Sequence, residues 1–69
     1  MSEIIFLVEE DPEGGYSAHA LGQSIFTEGE TWDELKKNVQ EAVACHFEGE
    51  AERPMMVRLH LVHDEVVSL

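Results

Sequence analysis

The segment Thr31-Trp32-Asp33-Glu34-Leu35-Lys36-Lys37-Asn38-Val39-Gln40-Glu41-Ala42-Val43-Ala44-Cys45-His46-Phe47 carries the strongest structural signal in the chain. Thr31 and Glu34 have the spacing of a capping box. In that motif the threonine hydroxyl accepts from the Glu34 amide while the Glu34 carboxylate reaches back to the Thr31 amide. Asp33 and Glu34 also place negative charge at the positive end of a helix dipole. Trp32, Leu35, Val39, Ala42, Val43 and His46 then recur at helical steps, a single apolar stripe running to about Phe47. Lys36, Lys37, Gln40, Glu41 and Ala44 fall towards the other side. Gly49 is placed to end the helix.

Upstream of this helix the pattern is that of strands. Ile4-Ile5-Phe6-Leu7-Val8 is a continuous β-branched and aromatic run, too short for a helix, and reads as a central strand buried on both faces. Glu9 to Gly15 reads as a turn, with Pro12 fixing φ and the paired glycines supplying positive φ. Tyr16 to Leu21 alternates, with Tyr16, Ala18 and Ala20 on one face and Ser17, His19 and Leu21 on the other, so it forms a hairpin with the first strand. Gly22-Gln23 permits another reversal, and Ser24 to Glu28 reads as a short edge strand. Downstream, the charged linker Glu50 to Pro54 leads into Met55–Val62. There Val57, Leu59 and Leu61 alternate with Arg58 and His60, the pattern of a strand with one wet face. Val66 to Leu69 is a short tail that either extends the sheet or lies in an interface.

The order is β-β-β-α-β, an α+β fold. Three antiparallel strands are followed by a helix that returns the chain, and the last strand lies parallel to the first. The expected mixed four-stranded sheet has order 3-2-1-4, with the helix on one face. The other face is left to solvent or a partner. Residues 1–69 are expected to form one domain.

A chain of 69 residues buries only about 60% of its unfolded surface, so its core alone gives marginal stability. Cys45 is its only cysteine, which excludes internal disulfides and a thiolate zinc cluster. Association, with itself as a homodimer or higher oligomer or with another protein, is the expected supplement. Four Lys and Arg residues face fifteen Asp and Glu, a net charge of −11. So few cations make no phosphate-binding footprint, and direct nucleic-acid or anionic-membrane binding is not expected. A basic protein partner suits this charge, which steers encounter and fixes register; the simpler reading is that it keeps a small domain soluble. No signal peptide or membrane span is read, and a cytoplasmic location is expected.

Nothing in the sequence points to a catalytic constellation. His60 and His63, three apart in a strand, point to opposite faces and do not chelate one ion. His46 is expected to be packed or half-buried on the helix stripe. Cys45, near no basic cluster, reads as a structural thiol. Glu9, Glu10, Asp11 and Glu13 cluster at the first hairpin, where carboxylates that converge hold Mg²⁺, yet a solvated turn explains them more simply. The rival reading is a small enzyme or metal site formed between subunits with His19, His46 or His60. A further rival is an orphan homo-oligomeric module without a partner. No cofactor is expected.

A hydrophobic first strand, the turn Glu10-Asp11-Pro12-Glu13-Gly14-Gly15-Tyr16-Ser17-Ala18, and then Thr27-Glu28-Gly29-Glu30-Thr31-Trp32-Asp33-Glu34-Leu35 with Asn38-Val39-Gln40-Glu41-Ala42 resemble the HicB family of antitoxins. The family signature is an acidic turn ending Gly-Gly-Tyr, then T-x-G-x-T-x-x-E-A and N-x-x-E-A. The resemblance covers about residues 4 to 62. Leu35 stands where the family usually has Ala, and Leu21-Gly22-Gln23-Ser24 replaces the frequent P-D-L-P-G-C loop.

The resemblance implies a partial ribonuclease-H-like domain of the derived order. It also implies a function: masking a small basic HicA-type toxin, an mRNA interferase with a double-stranded-RNA-binding-like fold. The promoter-binding domain of full antitoxins has no counterpart before Leu69, so DNA binding is not expected. No residue matches the metal-binding carboxylates of ribonuclease H, so no catalysis is implied. The expected partner surface has a charged rim of Glu9, Glu10, Glu13, Glu28, Glu30 and Glu34. Tyr16 and Trp32 are its candidate anchors, since aromatics dominate interface energetics; the plainer role for both is core packing.

Overall fold

In the computed structural model, which describes residues 3–69, the elements follow in the order β1 (Glu3–Glu10), β2 (Tyr16–Ala20), β3 (Phe26–Gly29), α1 (Trp32–His46) and β4 (Met56–Val62). The sheet order is β3-β2-β1-β4. β1 is antiparallel to β2 and β2 to β3, whereas β4 runs parallel to β1. This is the α+β architecture expected from the hydrophobic patterns.

Alternation along the strands defines one packed face. Ile4, Phe6 and Val8 of β1, Ala18 and Ala20 of β2 and Ile25 before β3 are buried together with Leu35, Val39, Val43 and Phe47 of the helix side. Those last four residues recur every fourth position, so they form one line along α1. Each such side chain contributes about 1.5–3 kcal/mol when fully removed from water.

The helix packs over β3 and β2, where the residues Ala18, Ala20 and Gly29 are small. A Cβ added to Gly29 would stand 2.6 Å from the Leu35 backbone nitrogen, so glycine is what permits this approach. On the opposite flank the helix leaves a shallow groove of about 120 Å³ lined by Lys36, Val39, Gln40, Val57 and Leu59.

Several sequence expectations are corrected. β1 is not buried on both faces: Ile5 and Leu7 alternate with the buried residues and are only half-buried, because one helix covers one face. β1 also extends through Glu10, where Glu9 pairs with Val62 and Glu10 with Tyr16. The turn therefore begins at Asp11. β3 spans Phe26–Gly29 rather than Ser24 to Glu28. The stripe of α1 closes on buried Phe47, the C-cap residue, while His46 is exposed. Cys45 is also exposed, not packed. Residues Val66, Val67 and Leu69 lie in no strand and are exposed.

Candidate functional site

At one end of the sheet the β1–β2 turn meets the start of α1. The turn is shaped by Asp11, whose Oδ1 accepts from the Glu13 amide at 2.9 Å and whose backbone carbonyl accepts from the Gly14 amide at 2.9 Å. The Asp11 amide in turn donates to the Gly15 carbonyl at 2.9 Å. Gly15 has φ of +88°, and a Cβ there would meet the Gly29 carbonyl oxygen at 3.0 Å. The acidic turn is thereby brought close against the end of β3.

The helix start supplies the other wall. The Thr31 Oγ1 accepts from the Glu34 amide at 3.1 Å, as the capping-box spacing predicts. The reciprocal bond differs from the expectation: Glu34 Oε1 accepts from the Glu30 amide at 3.2 Å, one residue further back. Asn38 ties the helix to β3 by donating from Nδ2 to the Glu28 carbonyl at 2.7 Å. Tyr16 and Trp32 meet edge to face, with ring centroids 5.4 Å apart at 76°. Both are partly buried and pack against the core, so the pair joins β2 to the first turn of α1.

Between these walls lies an open cleft of about 230 Å³ lined by Asp11, Gly14, Gly15, Tyr16, Ser17, Glu28, Gly29, Glu30 and Glu34. Four carboxylates line it, and no lysine or arginine does. Of the residues singled out in the sequence, Tyr16, Glu28, Glu30 and Glu34 converge here. Trp32 stands behind Tyr16. Asp11 and Ser17 are additional lining residues; the Asp11-Pro12-Glu13 turn signal marked the first, and nothing in the sequence marked the second.

Glu9 and Glu10 are elsewhere. They border a second concavity with Pro12, Val62, His63 and Asp64, where His63 Nδ1 lies 3.4 Å from Glu10 Oε1. Glu13 is exposed and lines neither. The expected acidic rim is therefore divided: Glu28, Glu30 and Glu34 line the cleft, Glu9 and Glu10 the second concavity, and Glu13 neither.

The histidines are dispersed. The strand registers place His60 beside Leu7, Leu7 beside His19 and His19 beside Phe26, one row on the face away from the helix. Leu7 thus intervenes between His19 and His60. His46 sits on α1, with Nε2 3.2 Å from Gln23 Oε1 and its ring against Phe47. Among the described residues no three His, Cys, Asp or Glu side chains are grouped so as to hold a metal ion. Nor is any helix among them long and apolar enough to cross a membrane.

The fold and its charged end define a small single-helix α+β protein with an acidic cleft where the first hairpin abuts the helix start. The chain belongs to the UPF0150 protein family. It is 57% identical over 53 residues to a UPF0150 protein of Archaeoglobus fulgidus, spanning 77% of each chain. It is 39% identical over 67 residues to a UPF0150 protein of Thermotoga maritima, covering 97% of this chain and 93% of the relative. No family model matches, and no solved structure does.

Proposed function

We propose that this protein is a non-enzymatic, HicB-like binding module whose acidic cleft covers the cationic surface of a small basic partner of the HicA toxin type. The observation that carries this reading is the cleft itself, with Asp11, Glu28, Glu30 and Glu34 in its lining and no cationic side chain among them. The chain's charge of −11 adds a long-range field that draws in a basic protein, and matched charges then fix the docked register. A toxin that binds RNA through lysine and arginine would have that surface occupied and its cleavage blocked. The partly exposed Tyr16–Trp32 pair beside the cleft offers an aromatic contact at its margin.

The test is RNA cleavage by a HicA-type toxin with and without this protein, at low and moderate salt. Protection is expected, weakening as salt rises. Replacing Glu28 and Glu30 together with glutamine is expected to slow complex formation while leaving the helix cap at Thr31 and Glu34 intact. Unimpeded cleavage at both salts by a toxin encoded beside this protein's gene would refute the reading.

A further inference from the structure

The two edges of the sheet are unlike. β3, at one edge, has four residues, carries Glu28 and runs directly into Glu30. Short, charged edges resist pairing with another chain. β4, at the other edge, has seven residues. It lies within Arg53–His63, a stretch with no acidic residue in a chain that has fifteen. Its only permanently charged residue is Arg58, and that side chain is engaged by Glu3 of neighbouring β1, with Nε to Oε1 at 2.9 Å and Nη2 to Oε2 at 3.1 Å. Among the described residues no strand pairs with the outer side of β4. Met55, Met56 and Leu61 are exposed along it. A long, largely apolar edge whose one permanent charge is already paired is a template for strand addition.

We propose that two copies of this chain pair antiparallel through the free edge of β4, with Leu59 of one copy facing Leu59 of the other across a two-fold axis. This inference goes beyond the toxin-masking reading and stands without it. The occupant is a second copy because a self-facing edge needs a segment that does not repel itself, and in this strongly anionic chain β4 is the edge that meets that need.

Register follows from the side chains. With Leu59 at the axis, all seven residues pair: Met56 with Val62, Val57 with Leu61, and Arg58 with His60. Val57, Leu59 and Leu61 of both copies then form one apolar row on the helix side, continuous with the groove beside Val39. Centring on Arg58 instead would set arginine against arginine, a destabilising like-charge pair. A two-fold axis in the plane of the sheet would set the apolar row of each copy beside the polar row of the other. Continuing the Leu59 register outward brings Glu65 of each copy opposite Arg53 of the other. The exposed Val66, Val67 and Leu69 then run along the second copy's linker. These arms extend the contact towards the roughly 800 Å² per partner typical of a stable interface.

Sedimentation of the purified protein at micromolar concentration tests this. The mass of two chains is expected. The Leu61→Lys variant, with its circular dichroism unchanged, is expected to sediment as one chain. A single-chain mass for the unaltered protein would overturn the proposal, as would a dimer that survives Leu61→Lys. Should that variant fail to fold, Leu59→Cys in a Cys45→Ala background decides the matter. Oxidation is expected to join two chains through residue 59, and not through a cysteine placed at Leu21; absence of the residue 59 cross-link overturns the pairing. Because the toxin is absent throughout, these results are independent of the masking assay.

Discussion

Glu3 and Arg58 clasp each other at two points across the β1–β4 pair, although 55 positions separate them in the sequence. The guanidinium hydrogen bonds hold the Glu3 carboxyl below its ordinary range, and the carboxylate raises Arg58 in return. A carboxyl whose folded value is depressed contributes stability above its unfolded value, and that contribution is lost as pH falls through the folded value. Glu3→Gln is therefore expected to lower the thermal midpoint slightly at neutral pH. Its difference from the unaltered protein should vanish in acid, once Glu3 is protonated. Paired melting curves at the two pH values check this; an equal difference at both would refute it.

Gly29 lies so close to α1 that even a methyl group collides with the Leu35 backbone. Relief requires the helix start to move away from β3. Overpacking of this kind costs about 1–3 kcal/mol. Gly29→Ala is expected to lower the unfolding free energy by that amount, seen as a lower denaturant midpoint, and to weaken the Asn38 bond to Glu28. An unchanged midpoint would contradict the packing described.

Thr31 caps α1 with its hydroxyl. Thr31→Ala removes that acceptor and should cost about 1 kcal/mol, read from the chemical denaturation curve. Thr31→Ser keeps the oxygen and is expected to retain most of the stability.

Leu35 has no exposed surface and belongs to the buried cluster that also holds Phe6 and Val8. Leu-to-Ala changes in cores cost about 2–5 kcal/mol, against a total of roughly 0.05–0.15 kcal/mol per residue. Leu35→Ala is expected to remove a large share of the chain's stability, seen as a much lower melting point. A near-native spectrum and melting point would show that Leu35 is not central to the core.

Much of this structure was legible because its signals are local. The Thr31–Glu34 cap, the four-residue recurrence from Leu35 and the alternation through Tyr16, Ala18 and Ala20 each mark an element by themselves. Placing the hydrophobic β1 run in the middle of the sheet then gave the strand order. What local patterns did not reveal depends on which neighbour arrives from far away. Glu9 looks like part of a turn until Val62 pairs with it. Ile5 and Leu7 look like core until it is known that one helix covers only the other face. The final register of α1 likewise left His46 and Cys45 outside, because Phe47 completes the buried line. The cleft follows the same rule: Glu28, Glu30 and Glu34 were adjacent in the sequence, while Asp11 and Ser17 joined them only through the β1–β2 and β2–β3 registers.

The lateral seat of α1 over β2 and β3 has a kinetic consequence. The meander and its helix are built from neighbours in the chain, so they assemble with short closures. β4 must instead cross the whole molecule to reach β1, and contacts of long sequence separation slow folding. Strand four is therefore expected to be the last piece to lock.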